Sequence, residues 1–459
     1  MGKRLLISCI IVVGLCSVGL VSAGTSSRKE VTFSKDVAPI FYKNCVVCHR
    51  PNDLAPMSLL TYKDARPWAR SIKEKVATRE MPPWHADPSH TQFANDRRLT
   101  QQEIDTVVAW VDQGTKEGNP KDMPSPPQIT EGWHIGKPDV VLSMDAEHTV
   151  EASGPDDYMY FTIQTGFTED KWIQAAELHP GNKRVVHHII AFVASPQMAA
   201  QAFQARRTQA QATGLFVTEG TLRRVKMDAP VVDDGCNSTT ANSNRRAGQD
   251  STGAFLAGYA PGKDVDLFPP GVAKRIAKGS VIVFQVHYNK NTGKEEKDRS
   301  SIGLIFAKQP PEKMAMTSGI SNVMFKIPPG AESHEVTSCQ TFDRDVLVYS
   351  YMPHMHVRGK DMKYEAVYPD GHREVLLWVP NYSFSWQEVY KLKTPIVLPK
   401  GTRVIVTAHF DNSTKNKNNP DPTKSVRWGD PTYDEMMIGW MDFLVDNVNK
   451  PDVAAKSGK

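Results

Sequence analysis

The spacing of apolar residues changes once along this chain, and that change constrains the fold more than any other feature. Up to residue 118 the spacing is helical, as in Lys63–Ala77, and Thr100 with Glu103 forms a capping-box sequence at a predicted helix start. From Asp139 onward, short runs rich in Val, Ile, Phe and Tyr alternate with Gly, Pro, Asn and Asp. This pattern is typical of antiparallel sandwiches or barrels. A small all-α domain followed by a β-rich region is therefore predicted.

A chain of 459 residues is too long for one compact core, and about three hundred β-rich residues suggest two sandwiches. The predicted segments are a signal peptide (1–23), the helical domain (30–118), a Pro-rich linker (119–135), two sandwiches (136–308 and 309–448) and a tail (449–459). The expected strands include Tyr158–Gln164, Val185–Val193, Ser280–Tyr288, Val346–Met352 and Arg403–Phe410, and Pro196–Thr213 is expected to form an inserted helix. The net charge of +4 is too balanced to propose a nucleic-acid partner.

The N-terminus has the features of a secretory signal. Met1–Arg4 is a basic head, Leu5–Val21 is an uninterrupted run of apolar and small residues, and Val21-Ser22-Ala23 fits a cleavage site. The alternative is an uncleaved membrane anchor. Export, most simply to a bacterial periplasm or otherwise by secretion, implies an oxidising compartment. The cysteines outside the signal are Cys45, Cys48, Cys236 and Cys339, and the last two either pair or both stay as thiols.

Cys45-Val-Val-Cys48-His49 is a C-x-x-C-H motif in the helical region. Two thiols three residues apart can add to the two vinyl groups of one haem, and the following His then ligates the iron. A thioredoxin-like dithiol would need a βαβ context, which is missing. A zinc site using His85 and His90 is the remaining alternative. The motif therefore predicts a covalently bound haem c.

Met81 is the predicted second axial ligand of that haem. The stretch Met81-Pro-Pro resembles the M-P-P segment that supplies the distal Met in many small bacterial cytochromes c. A Met ligand raises the reduction potential. In the alternative, Met81 is a core residue and Met57, His85 or His90 is the ligand.

In the β-rich region, His and Met recur at positions that are hard to explain as core. His187-His188 and His287 lie inside apolar runs, whereas His354-x-His356 ends one. Adjacent strand residues point to opposite faces, so His187 and His188 need a bulge or a strand end to bind one metal. The alternative for this pair is one core His and one exposed His. Residues i and i+2 share a face, so H-x-H is a bidentate clamp.

These segments resemble, in order and local sequence, the copper type II ascorbate-dependent monooxygenases, which include peptidylglycine α-hydroxylating and dopamine β-monooxygenases. Val186-His187-His188, Gln285-Val286-His287-Tyr288, His354-x-His356 and Asp434-Glu435-Met436 carry the resemblance, which spans about residues 136–445. The haem segment in front resembles a separate family, the cytochromes c.

The resemblance implies two jelly-roll-like sandwiches with two copper ions per chain. It implies that His187, His188 and His287 bind an electron-storing copper. His354, His356 and Met436 would bind the copper where oxygen reacts, and a thioether there suits Cu(I). His179 and His409 are left with supporting or surface roles.

Three positions depart from the peptide-amidating members, in which an Arg, an Asn and a Tyr hold the substrate carboxylate. Here those positions are Met352, Ile438 and Trp440, none of which forms an ion pair with a carboxylate. The chain is therefore not expected to amidate peptides, and its pocket is expected to be more apolar.

The predicted activity is that of a copper monooxygenase. It uses molecular oxygen, an organic small-molecule or peptide substrate, and electrons from ascorbate or a redox protein. The fused haem is expected to pass single electrons to the His187 copper and from there to the His354 copper. Two alternatives remain: a non-catalytic haem and copper carrier, and a reductase of a small nitrogen oxide. The reductase would be expected to use a blue-copper Cys, and no Cys adjoins the His clusters.

Overall fold

The structure is a computed structural model that describes residues 30–51, 55–128, 132–154, 156–200, 249–250, 253–260, 265–290 and 292–446. The predicted signal peptide and tail lie outside the described residues, as does Cys236 and most of the predicted insertion 196–213, of which 196–200 is helical. Within the described ranges, no helix is long and apolar enough to cross a membrane.

The first part of the chain is helical, as predicted. Thr100 and Glu103 form both hydrogen bonds of the capping box, and Gly114 ends the helix with φ +91°. The helix predicted over 63–77 is broken by a 3₁₀ turn that contains Pro67, whose ring disfavours an unbroken α-helix. The helices are α1 (Ala38–Asn44), α2 (Tyr62–Ala65), α3 (Ala69–Ala77) and α4 (Gln101–Asp112), with a π-helical turn at Phe33–Val37 and 3₁₀ turns at Arg66–Trp68 and Pro120–Asp122.

The rest of the described chain is almost entirely β-structure. All five strands predicted above are present, with ends shifted by two residues at most. The strands are β1 (Val140–Ser143), β2 (His148–Val150), β3 (Asp157–Gln164), β4 (Lys171–His179), β5 (Val186–Ala194), β6 (Gln249–Asp250), β7 (Gly253–Tyr259), β8 (Asp266–Leu267), β9 (Val272–Ile276), β10 (Val281–Tyr288), β11 (Glu296–Asp298), β12 (Ser301–Phe306), β13 (Lys313–Ser321), β14 (Lys326–Ile327), β15 (His334–Thr341), β16 (Val346–His354), β17 (Gly359–Val367), β18 (Arg373–Val379), β19 (Tyr390–Leu398), β20 (Arg403–Phe410), β21 (Val426–Arg427) and β22 (Ile438–Asp446).

These strands form two sandwiches that share one sheet. The N-terminal sandwich faces β3-β10-β5-β7-β6 against β1-β12-β4-β9, and the C-terminal one pairs β13-β22-β16-β19 with β15-β20-β17-β18. Strands β9 and β13 pair in parallel at Val272 and Lys313, which joins β1-β12-β4-β9 and β13-β22-β16-β19 into one sheet. The short strand β8, which pairs with β4, brings this sheet to nine strands. The β-rich organisation is thus confirmed in outline, and the jelly-roll connection order stays a prediction.

Each region has its own core. The helical domain packs Phe33, Phe41 and Trp110 in mutual ring contact. The two sandwiches bury alternate strand residues between their sheets, as the period of two requires. Burial of these apolar faces provides most of the driving force for folding.

A segment after α3 leaves the helical domain and packs on the C-terminal sandwich. Trp84 and Phe93 are buried in the core of that sandwich, and Trp84 meets the ring of Tyr390 at 5.0 Å between centroids. The backbone N–H of Ala94 donates to the carbonyl of Lys391 at 2.7 Å. The segment therefore extends the edge strand β19 and docks the helical domain against the C-terminal sandwich.

Candidate metal centres and haem site

The first His cluster is built by a bulge between two neighbouring strands. His287 on β10 is opposite His188 on β5, but the next residue, Tyr288, is opposite Val186. His187 is therefore the extra residue of the bulge, which turns two adjacent side chains toward the same side. One ligand atom from each His of this cluster lies within 4.8 Å of the others. The structure thus brings together the three residues predicted from sequence. It does so through a bulge, one of the two arrangements predicted above, the other being a strand end.

The hydrogen bonds of the first cluster leave nitrogen lone pairs directed inward. His287 Nε2 lies 2.9 Å from Asp156 Oδ2, so Nε2–H donates and Nδ1 is the free acceptor. Among the described residues that Nδ1 is buried without a hydrogen-bond partner. The Nδ1 atoms of His187 and His188 are 3.3 Å apart, which is the spacing of two imidazole nitrogens that share one ion at about 2.0–2.1 Å. The residues fit a bound metal.

Burial keeps the imidazoles of His187 and His188 neutral. Desolvation, aided by the neighbouring His287, lowers the pKa of His187 to about 4, and desolvation holds the pKa of His188 well below its usual range. Metal binding requires the neutral ring. His187 and His188 are therefore ready to bind metal at neutral pH without releasing ring protons.

The second cluster begins where strand β16 ends. His354 is the last residue of β16, and its Nδ1 lies 2.6 Å from the amide oxygen of Gln387. His356 lies beyond the strand, so strand alternation alone does not orient it. Its Nδ1 lies 3.1 Å from the carbonyl oxygen of Asp434. Both rings thus donate through Nδ1, which leaves both Nε2 atoms as lone-pair donors to a metal.

A buried carboxylate fixes the backbone around the second cluster. Glu435 accepts from the backbone N–H of His356 at 2.8 Å and from that of Arg358 at 2.6 Å. Desolvation raises the pKa of Glu435 to about 8, and those N–H donors oppose the shift. Met436 is the next residue and is half-buried, two positions before Ile438, the cross-strand partner of His354. The backbone of Asp434-Glu435-Met436 is thereby brought against His356.

One aromatic ring connects the two clusters. The ring of Phe384 lies parallel to that of His187, with centroids 6.1 Å apart, and meets the edge of His356 at 5.9 Å. The loop that holds Phe384 also holds Gln387, the partner of His354. The clusters therefore face each other across a single side chain. Positive charge on His354 or His356 lowers the pKa of His188.

The C-x-x-C-H motif forms a tight turn after α1. The backbone N–H of His49 donates to the carbonyl of Cys45 at 2.9 Å, and that of Cys48 to the same carbonyl at 3.1 Å. The Nδ1 of His49 is 3.3 Å from the carbonyl oxygen of Met57, which leaves Nε2 available for an iron. The chemistry of the donor set fits a haem attached at both thiols.

The residues considered for the second axial position of the haem occupy different environments. Met81 is half-buried and follows α3, and Met57 packs on the core of the helical domain. His85 lies between two residues buried in the C-terminal sandwich, and His90 is exposed, 6.2 Å from the ring of Trp378. Met81 stays the predicted ligand.

Comparison with protein families identifies two parts of the chain. Residues 34–115 match the profile of cytochrome c, and residues 314–450 match that of the copper type II ascorbate-dependent monooxygenase, C-terminal domain. The helical region is thus similar to cytochrome c, and the last third of the chain is similar to the C-terminal domain of these monooxygenases. This confirms the predicted recognition, although within the monooxygenase only the C-terminal domain is matched. No curated protein matches the sequence.

Similar solved structures add no argument. One is the structure of infectious bursal disease virus Gx strain, with 8% identity, 71% of this chain and 76% of that chain covered, and a TM-score of 0.19. Another is the VP2 subviral particle of the same virus, with 8% identity, coverage of 68% and 72%, and a TM-score of 0.19. Similarity at this level is too low to support a conclusion about the fold.

The C-terminal sandwich places the three departing residues beside the second cluster. Met352 and Trp440 face each other across β16 and β22, and Ile438 is opposite His354. All three are half-buried. The wall next to His354 is therefore apolar, in line with the expectation that it holds no carboxylate.

The remaining sequence candidates have separate surroundings. His409 lies on β20, with its Nδ1 2.8 Å from Asp361 Oδ1. His179 instead adjoins Glu177 and His134 in a cluster of its own. Cys339 lies on β15, and Cys236 lies outside the described residues, so both alternatives, a disulfide or two thiols, stand as stated from the sequence.

Sequence reasoning missed the residues that support the imidazoles. Asp156, Phe384 and Gln387 are single residues in loops, without the periodicity or motif spacing that reveals a ligand. Only the fold brings Gln387, 33 residues after His354 in sequence, to the ring nitrogen of that His.

Proposed function

We propose that this protein is an exported copper-dependent monooxygenase that hydroxylates a C–H bond of an organic substrate with O₂, using single electrons that reach it through the fused c-type haem. The observation that carries the proposal is the pair of facing His clusters, whose buried or half-buried imidazoles direct Nδ1 or Nε2 lone pairs inward. Export is proposed from the basic and apolar segments of residues 1–23.

In this proposal His187, His188 and His287 hold one copper, and His354, His356 and Met436 hold the other. When bound, the copper ions supply one-electron redox chemistry with oxygen and the haem supplies electrons singly. Three imidazoles serve both copper oxidation states, whereas a thioether in the second set favours Cu(I).

The apolar wall of the second cluster suits a substrate without a carboxylate at the reacting end. Met352, Ile438 and Trp440 exclude water beside His354 and offer dispersion contacts to an aliphatic or aromatic group. We infer a small organic substrate with an unactivated or benzylic C–H.

The docking of the cytochrome domain supports electron delivery inside the chain. Trp84 contacts Tyr390, and the loop just before Tyr390 carries Gln387 and Phe384. Gln387 holds His354, and Phe384 touches rings of both clusters. This loop is therefore the direct connection between the docked segment and the metal-binding imidazoles, in keeping with a relay from haem to the first cluster and then to the second.

Product analysis of a ligand variant tests the proposal. Met436→Ala should keep the haem spectrum and the first cluster but lose incorporation of ¹⁸O from ¹⁸O₂ into small aromatic or aliphatic substrates. His409→Ala, which changes a His bonded to Asp361 on another strand, should keep full incorporation. Undiminished turnover by Met436→Ala would reject the role of Met436.

The relay and the non-catalytic alternative have their own readout. The haem is reduced without oxygen and then mixed with oxygen and substrate. We expect its reoxidation to slow strongly when copper is removed. Reoxidation at the same rate without copper would reject the relay, and absence of any hydroxylated product would favour an electron carrier.

A further inference from the structure

A third cluster of potential metal ligands lies on the N-terminal sandwich. It consists of His134, Glu177 and His179, with one ligand atom of each within 4.8 Å of the others. Glu177 Oε1 lies 2.7 Å from His134 Nδ1 and 2.9 Å from His179 Nε2. Two imidazoles therefore converge on a single carboxylate oxygen. The cluster is on β4, in the sheet opposite the one that carries His187.

The fold holds each member of this third cluster in place. Glu177 and His179 are two residues apart on β4, so they share a face. The backbone N–H of Ile135 donates to Glu177 Oε2 at 3.0 Å, which leaves Oε1 for the imidazoles. The indole of Trp133 stacks on His179 at 3.7 Å between centroids. Contacts with residues outside the cluster therefore also hold its side chains in place.

Close packing fixes the loop that supplies His134. A Cβ added at Gly303 on β12 would lie 2.8 Å from the ring of Trp133, so only glycine admits that ring. The loop is therefore pressed onto the sheet at the point where His134 reaches Glu177. It is also the end of the linker from the cytochrome domain.

The third cluster contains a buried carboxylate that is paired only with imidazoles within the described part of the chain. Glu177 is only 6% exposed, and among the described residues its ion-pair partners are these two histidines, with no Lys or Arg. A buried carboxylate needs a compensating positive charge. The His134 and His179 side chains are 42% and 32% exposed, so an ion has access from solvent.

We propose that His134, Glu177 and His179 form a third metal site, which takes a divalent borderline cation of the Zn²⁺ type. Two imidazoles and one carboxylate are a common zinc ligand set that leaves a position for water. The ion would fasten the end of the linker to β4. The proposal does not depend on the copper chemistry proposed above.

Zinc binding by the full-length, copper-loaded protein tests this site, because among the described residues the third cluster is then the remaining group of three His or carboxylate ligands. We expect one zinc per chain by metal analysis and by Zn²⁺ titration against a chelator. Glu177→Gln should weaken zinc binding by more than about 100-fold, beyond the 10- to 100-fold typical of losing an outer partner. Copper content and the haem spectrum should stay unchanged.

Two further variants keep the test decisive. If Glu177→Gln fails to fold, His134→Ala removes a half-exposed ligand and should weaken zinc binding while leaving the sandwich intact. His409→Ala is the matched control, because its imidazole is also held by a carboxylate but has no second His. Equal zinc affinity in wild type, His134→Ala and His409→Ala would overturn the proposal, as would the absence of bound zinc.

Discussion

The two facing His clusters differ in what holds their imidazoles. In the first cluster the outer nitrogen of His287 bonds to a carboxylate, that of Asp156. In the second, the outer nitrogens of His354 and His356 bond to a neutral amide and a neutral carbonyl, those of Gln387 and Asp434. An anionic acceptor makes an imidazole more basic and a stronger ligand for the higher charge state of a metal.

This difference parallels the proposed division of roles. A basic three-imidazole set stabilises Cu(II) relative to Cu(I) and suits electron storage. Neutral outer partners and a thioether stabilise Cu(I) at the cluster where oxygen is to react. The outer partners, of which only Asp434 lies in a sequence motif, thus help to set the two sites apart.

The largest effect is expected from removal of a ligand. His287→Ala takes away the buried Nδ1 that has no other partner among the described residues, and leaves two imidazoles. We expect copper content to fall from about two to about one per chain, with loss of the first-cluster signal in electron paramagnetic resonance. The counterpart His356→Ala should lose the other signal instead. Unchanged copper content in both variants would contradict the two-cluster assignment.

The next-largest effect is expected from a change in the carboxylate of Asp156, the outer partner of His287. Asp156→Asn keeps a hydrogen-bond acceptor for His287 but removes its charge. We expect Cu²⁺ affinity at the first cluster to fall by about 10- to 100-fold and its reduction potential to rise. Competition with a Cu²⁺ chelator measures the affinity, and a redox titration measures the reduction potential. The second cluster in the same molecule is the internal control, and an equal change at both clusters would argue against a local effect.

The converse substitution is expected to have a smaller effect, because it changes one of two outer partners. Gln387→Glu gives His354 an anionic acceptor like that of His287. The potential of the second cluster should fall toward that of the first, with Cu²⁺ affinity rising by about 10-fold. Gln387→Met, similar in length but without a strong acceptor, should show no such fall. A potential that moves equally in both variants would mean that packing, not charge, is responsible.

The fold was predictable to the extent that local patterns determine it. The capping box at Thr100 predicted the start of a helix, and the alternation in Arg403–Phe410 predicted a strand. Both elements occur at those residues. The parallel pairing of Val272 with Lys313 and the docking of Trp84 depend on contacts between distant segments, and no local periodicity records them.

The same distinction applies to the site. Five His positions stood out because they occur in short motifs within or at the end of apolar runs, and the resemblance to the copper monooxygenases implied that they are ligands. The expected bulge at His187 follows from strand alternation. His356 was placed in strand geometry, but Glu435, far along the chain, orients it. Asp156 and Gln387 reach their imidazoles only through the tertiary fold.

The smallest effect concerns the docking of the cytochrome domain. The Asn95 side chain donates to the carbonyl of Val389 at 2.7 Å and accepts from the N–H of Lys391 at 2.9 Å, next to the loop that holds Gln387. Asn95→Ala should cost about 1–3 kcal/mol of unfolding free energy, because two backbone groups lose their partner. Guanidinium unfolding measures this cost. Lys393→Ala, which removes a 3.5 Å contact between exposed side chains, should cost far less.

Because the loosened loop supports His354, the paramagnetic signal of the second cluster in Asn95→Ala should broaden while that of the first stays the same. Broadening of both signals would show that the dock acts on the clusters jointly, through Phe384, rather than on the second alone.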